Sequence, residues 1–215
     1  MASIVKDRIM AMAAVEFAEP ASEAALEALA ETLRARNFEV VVVDDGAAAK
    51  AEVLSRVPEG SQVHSGKSKT LEDAGIFDEF MDNQNYDFIR RRTLKMDRNT
   101  QRDEMRKAGA APDIMVNSAH ALTEAGQIVM TSATGSQIGP IASGAGKLIL
   151  VIGSQKVVPD LDTAFRRIQD YVIPYEEDRL HVAHGVAKMN RTLILEGDHT
   201  PGRTTIILVR QPIGV

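Results

Sequence analysis

Residues 38–46 read FEVVVVDDG, and this stretch decides the fold. Phe38–Asp44 is a continuous, mostly β-branched run without polar alternation, which predicts a strand that is covered on both faces, as in a parallel sheet. The turn residues Asp45 and Gly46 end the strand, and a helical pattern follows from Ala47 to Val57. A strand that leads directly into a helix is typical of α/β proteins, in which helices connect parallel strands.

The same alternation continues to the end of the chain. Further strands are predicted at Ser61–Ser65, Tyr86–Ile89, Asp113–Asn117, Gln127–Ser132, Leu148–Gly153, Thr192–Leu195 and Thr204–Val209. The sequence therefore predicts an α/β fold with a mostly parallel central sheet flanked by helices. For the last two strands, an antiparallel pair at the edge of the sheet is an alternative arrangement.

A helical segment is predicted before the first strand. Apolar residues follow helical spacing in Ser3–Ala18, and a second helix is predicted over Ser22–Asn37 with Ser22 as its N-cap. A chain of 215 residues is of the length expected for one domain. We therefore expect a single domain over residues 1–215, with a helical segment at 1–37 and an α/β core at 38–215.

Composition excludes several classes of function. The chain has no cysteine, so it can hold neither a cysteine-ligated metal nor a cysteine-bound iron–sulfur cluster. Its 25 Lys and Arg residues against 30 Asp and Glu residues argue against nucleic acid as a partner. No apolar run approaches the ~20 residues of a membrane span, and the first residues lack the uninterrupted apolar region of a signal peptide. We expect a cytoplasmic protein without a membrane partner.

Three loops carry side chains suited to chemistry, because each follows a predicted strand and ligands bind beyond the carboxyl ends of such strands. The first loop spans residues 64–70 and offers a flexible glycine, two cations and two hydroxyls, namely Gly66, Lys67, Ser68, Lys69 and Thr70. These residues suit a phosphate or carboxylate. The spacing of a P-loop is absent, and a capped turn with Ser68 or Thr70 as N-cap is an equal alternative.

The second loop, residues 117–126, contains Asn117 and Thr123 as candidate ligand-binding residues and His120 and Glu124 as a candidate acid–base pair. A single histidine is more often structural than catalytic. The third loop, residues 132–140, contains the small residues Gly135 and Ser136, which leave room for a ligand. We expect the three loops to converge on one cleft. No metal-ligand spacing is present, so no metal site is predicted.

Three separated motifs resemble one known family, the LUD (lactate utilisation) domain. HALTEAGQIV at His120–Val129 resembles the family's NALTEDGxIV signature, and GKSKTLEDAGI at Gly66–Ile76 resembles GxSxTLxExGi. LILVIGSQKVVPDLDTAFRRI at Leu148–Ile168 resembles a third signature, vivvGxxKiVxdLdeAixRi. The resemblance implies a Rossmann-like fold similar to that of sugar-phosphate isomerases and CoA transferases, whose ligands are phosphates and carboxylates. It also implies a link to bacterial lactate oxidation.

The resemblance favours a protein that binds a small anionic metabolite, working alone or with other subunits of a lactate-oxidising system. Two alternatives remain open: a stand-alone enzyme acting on a sugar phosphate or acyl-CoA, and a non-catalytic ligand-sensing subunit. The cofactor is not predicted. Two departures from the family are visible, since His120 replaces the asparagine of NALTE and residues 175–191 contain no cysteine cluster.

Overall fold

A computed structural model describes residues 15–179, 181 and 189–215. Its strands are β1 (Glu39–Val43), β2 (Gln62–Ser65), β3 (Asp87–Phe88), β4 (Ile114–Asn117), β5 (Ala121–Thr123), β6 (Ile128–Ser132), β7 (Lys147–Gly153), β8 (Val157–Val158), β9 (Arg191–Leu195) and β10 (Thr204–Val209). Its α-helices are α1 (Glu23–Arg34), α2 (Gly46–Arg56), α3 (Lys69–Asp73), α4 (Ile76–Asp82), α5 (Ile89–Thr93), α6 (Arg102–Ala108), α7 (Leu161–Arg167) and α8 (Ile173–Arg179). The predicted α/β class is confirmed.

Six strands form the central sheet in the order β1–β10–β7–β4–β2–β3, and all of their pairings are parallel. Every residue of β4 and β10 is buried, as the apolar runs predict for strands covered on both faces. Successive side chains of β10 enter opposite layers: Ile206 packs with Leu33 of α1, and Ile207 packs with Val53 of α2. The predicted parallel sheet flanked by helices is therefore confirmed.

A second, four-stranded sheet corrects the strand assignment. It has the order β8–β5–β6–β9, and β6 runs antiparallel to both β5 and β9. Neither Gln127–Ser132 nor Thr192–Leu195 therefore belongs to the central sheet. The turn between β5 and β6 is too short for the crossover that parallel neighbours require, so β6 pairs with β5 as an antiparallel strand. The alternative antiparallel pairing of the last two strands is also wrong, since β10 lies between β1 and β7.

The structure describes only the last residues of the helix predicted over Ser3–Ala18. Residues 1–14 lie outside the described residues, and residues 15 and 16 are helical. The next helix, α1, begins after Ser22 as predicted, because the Ser22 hydroxyl accepts a hydrogen bond from the Ala25 N–H at 3.2 Å. Within the described ranges, no helix combines the length and apolarity that crossing a bilayer requires.

The π-helical turn Pro140–Gly144 allows a matched test of packing. A Cβ on Gly144 would lie 2.1 Å from the Ala110 carbonyl oxygen. We expect Gly144→Ala to lower the free energy of unfolding by about 1–3 kcal/mol, since the backbone must shift to make room. Ser143 of the same turn is exposed, so Ser143→Ala is the control and should leave that energy nearly unchanged. Chemical denaturation would contradict this account if the two variants behaved alike.

Candidate functional site

The candidate site lies where the order of the central sheet reverses. The chain runs from β2 outward to the edge strand β3 and then returns to β4 on the other side of β2. Loops leaving the carboxyl ends of β2 and β4 therefore diverge and leave a crevice between them, which is where open α/β sheets bind ligands. The sequence motifs at 66–70 and 117–120 are these two loops.

A polar pocket with a volume of about 40 Å³ occupies this crevice. Its lining residues are Lys67, Ser68, Lys69, Thr70, Asn117, Ser118, Ala119, His120, Gln137, Lys156, Glu176 and Val215. Gly66 borders it, because a Cβ there would lie 3.3 Å from the Asn117 side-chain oxygen. The structure thus gathers seven of the residues proposed from sequence around one space, which has room for a carboxylate or phosphate group.

Four residues proposed from sequence do not line this pocket. Glu124 is exposed on the turn between β5 and β6, and the hydroxyl of Thr123 accepts a hydrogen bond from the Gln127 N–H at 3.0 Å. Gly135 lies against Arg191, and Ser136 is exposed. The third loop follows β6, which belongs to the second sheet. The three loops do border one space, but the third loop contributes Gln137 to it and not Gly135 or Ser136.

Lys156 is the most enclosed cationic residue of the pocket, with 2% of its surface exposed. Its Nζ donates to the Thr70 hydroxyl at 2.8 Å, the Ser118 hydroxyl at 3.1 Å and the Ala119 carbonyl oxygen at 3.1 Å. All three acceptors are neutral. Burial, followed by the charge of Arg167, holds the pKa of Lys156 well below its ordinary value, and Asp73 opposes that shift.

Arg167 lies behind the pocket and is fully buried. Its Nη1 donates to the His120 carbonyl oxygen at 2.5 Å, and its guanidinium lies 5.2 Å from the ring centroid of Tyr171. The Nε and Nη2 atoms have no hydrogen-bond partner in the described part of the chain. Burial lowers the pKa of Arg167 to about 10. Arg167 therefore fixes the backbone at His120 and adds positive charge beside the pocket.

His120 is held in its neutral form. Its Nδ1 accepts a hydrogen bond from the Thr131 N–H at 3.1 Å, so the ring proton must be on Nε2. Burial, with the charges of Lys156 and Arg167, lowers the pKa of His120 from 6.5 to about 3. The ring is therefore suited to donating a hydrogen bond from Nε2, rather than to accepting a proton near neutral pH.

Lys67 and Lys69, at the start of α3, differ in exposure and in ion pairing. Lys67 is exposed, whereas Lys69 forms an ion pair with Asp73 one turn later. Ser68 is the N-cap of α3, with its hydroxyl accepting from the Leu71 N–H at 3.4 Å. Because α3 has only five residues, side-chain cations dominate over the helix dipole here.

The acidic side chain on the pocket wall is already paired. Glu176 of α8 contacts Arg179 through two hydrogen bonds, of 2.5 and 3.1 Å. In the part of the chain that the structure describes, no carboxylate lies within ion-pair distance of Lys156 or Arg167, and no cluster of three or more acidic or histidine side chains could hold a metal ion. The pocket thus has an excess of positive charge.

Two important residues, Lys156 and Arg167, were not proposed as site residues from sequence. Both lie within the quoted stretch LILVIGSQKVVPDLDTAFRRI. Lys156 follows the end of β7, a central strand beside β4. The first two loops were chosen because their polar residues come just after a buried strand. Lys156 meets the same condition and could have been chosen in the same way.

Comparison with known proteins gives a family and a related fold. The family model of the LUD domain matches residues 26–209. A crystal structure of a DUF162 family protein from Deinococcus radiodurans is similar to this chain with a TM-score of 0.52 and 10% sequence identity, covering 88% of this chain and 99% of that one. At this identity the likeness concerns the fold alone. No curated protein matches the chain significantly.

Proposed function

The chain belongs to the LUD domain family, which is associated with lactate utilisation, and from this membership we propose that it binds a small carboxylate or phosphate anion in the pocket between β2 and β4. One observation carries the proposal: the buried cation Arg167 has no carboxylate partner among the described residues, and the enclosed amino group of Lys156 near it hydrogen-bonds only to neutral oxygens. Buried charge is costly without a counter-charge, and an anion in the pocket supplies one.

The roles of the lining residues follow from their positions. Lys67 at the exposed mouth attracts the anion, while the Asn117 amide, the Ser68 hydroxyl and the His120 Nε2–H are donors for its oxygen atoms. Because the pocket is partly open, it has room for a small acid and for the anionic end of a larger ligand such as a sugar phosphate. Any iron–sulfur chemistry that accompanies this binding would belong to a partner subunit, because this chain has no cysteine.

Titration calorimetry with L-lactate and with inorganic phosphate tests the proposal. Lys67→Met should weaken binding of the bound probe by about fivefold or less, since an exposed charge contributes up to about 1 kcal/mol. Lys69→Met should weaken it by about tenfold, because this change also leaves the Asp73 carboxylate unpaired beside the pocket. The exposed Lys95 is a matched control, and Lys95→Met should have no effect.

Higher salt should weaken binding to the wild type more than binding to Lys67→Met, because screening acts most on exposed charges. Absence of binding of both probes to the wild type, or equal affinity in all three variants, would contradict the proposed site.

A further inference from the structure

The lysines of the pocket are of two kinds. Lys67 is exposed, and Lys69 is one-third exposed and paired with Asp73. Asp73, with burial opposing it, raises the pKa of Lys69. Lys156 is instead enclosed at the pocket, away from solvent and hydrogen-bonded to neutral groups. The three lysines therefore line one pocket but differ in solvent exposure and in ion pairing.

The surroundings of Lys156 accept either protonation state. The hydroxyls of Thr70 and Ser118 can each accept from an ammonium group or donate to the lone pair of a neutral amine. Only the Ala119 carbonyl oxygen must accept, and a neutral amine still has a hydrogen for it. Deprotonation of Lys156 therefore needs no rearrangement of its neighbours.

The charges that face Lys156 favour the neutral amine on balance. Asp73 of α3 favours the ammonium form, whereas Arg167 of α7 opposes it and burial opposes it most. The neighbouring His120 is neutral and adds no counter-charge, and Glu176, which also lines the pocket, is paired with Arg179. A neutral, enclosed amine at a ligand pocket is the arrangement that lets a lysine act as a nucleophile.

The geometry points to Lys156 as a nucleophile that captures the carbonyl carbon of a small 2-oxo carboxylate as an imine. This inference rests on the proposed function, since the same pocket must first bind the carboxylate group. Lys67 and Lys69 line the same pocket and can pair with that carboxylate, while Lys156 is the more enclosed amine that the adjacent carbonyl carbon can approach.

The step balances without any redox partner. The Nζ lone pair forms the new C–N bond while the C=O π pair moves to the oxygen, which the Nε2–H of His120, another lining residue, can stabilise. The oxygen then leaves as water with the two hydrogens of the amine, and a neutral C=N bond remains. Amine and carbonyl thus give imine and water.

Borohydride trapping of the wild-type protein tests the inference. Incubation with pyruvate and sodium borohydride, followed by peptide mass spectrometry, should place a reduced adduct on Lys156 at about ten times or more the level on Lys67 or Lys69, since one pKa unit changes the neutral fraction tenfold. L-lactate is the matched control, because it has the carboxylate but no carbonyl carbon. Lys156→Arg places a guanidinium group at this position, which cannot form the adduct.

The outcomes separate this inference from the proposed function. An adduct concentrated on Lys156 supports the inference. If L-lactate or phosphate binds the wild type but pyruvate leaves Lys156 unmodified, or modifies the exposed lysines equally, the nucleophile is excluded and the anion site remains. If neither probe binds in calorimetry and no adduct forms on Lys156, both are overturned.

Discussion

Replacement of Lys156 by Met is expected to weaken the binding of L-lactate or phosphate by about a hundredfold. Lys156 is the most enclosed amine of the pocket, and its N–H groups can turn from their neutral acceptors to the charged oxygen atoms of a bound anion. A hydrogen bond to a charged group contributes up to about 3 kcal/mol, which corresponds to roughly a hundredfold in affinity. Calorimetry of the variant beside the wild type measures the effect. Lys147, exposed at the other end of β7, provides the control variant Lys147→Met.

The fold should survive the loss of Lys156. The pKa of Lys156 is lowered in the folded state, so between that lowered value and 10.5 the unfolded chain binds the extra proton and the buried amine destabilises the protein. Met removes this penalty, which offsets the three lost hydrogen bonds. We expect the free energy of unfolding to stay within about 1 kcal/mol of the wild type. Unchanged affinity in a folded Lys156→Met protein would exclude Lys156 from the site.

The central sheet could be predicted from sequence because its strands are continuous apolar runs. Such runs mark β4, β7 and β10, whose burial on both faces allows no polar alternation. A similar run marks β1, but β1 is an edge strand and mostly only partly buried, so the coverage on both faces that we predicted for it is wrong. The second sheet could not be predicted in the same way. Its strands β5 and β8 have three and two residues, too few to carry a periodic signal. Without them, nothing in the sequence separated β6 and β9 from the strands of the central sheet.

The sequence predicted those site residues that lie in polar loops next to a strand. It missed Arg167, whose place depends on how a helix packs. Ser68 and His120 were chosen because they follow β2 and precede β5 in polar loops, and the topology brings them together. Arg167 is part of an α-helix, where an arginine ordinarily faces solvent. Its burial against Tyr171 and its bond to His120 arise from how α7 packs on the second sheet, which no local pattern reveals.

The folded protein holds two histidines, His120 and His64, in their neutral forms. A proton on Nδ1 of His120 would face the Thr131 N–H, and the resulting cation would add to Lys156 and Arg167. His64 on β2 is similar: burial, followed by the charge of Arg90, lowers its pKa to about 4, and its Nδ1 has no hydrogen-bond partner among the described residues. Both side chains are therefore neutral in the folded protein at neutral pH.

Mild acid is consequently expected to destabilise the protein strongly. In the unfolded chain both histidines bind protons below pH 6.5, whereas in the folded chain they do so only near pH 3 and 4. The unfolded state therefore binds more protons in this window, and stability is lost as the pH falls through it. Each pH unit costs about 1.4 kcal/mol per histidine, so at about pH 5 the loss is about 2 kcal/mol for each and about 4 kcal/mol together.

His120→Asn is expected to remove about half of this acid sensitivity. Asparagine does not titrate, and its side-chain oxygen can still accept a hydrogen bond, as the ring nitrogen does from Thr131. Urea denaturation at about pH 7 and pH 5 should show a loss of about 4 kcal/mol in the wild type and about 2 kcal/mol in the variant. His199→Asn, at an exposed position, should behave as the wild type does. Equal acid losses in the wild type and His120→Asn would mean that His120 carries a proton in the folded protein, and its role as a neutral donor in the pocket would have to be abandoned.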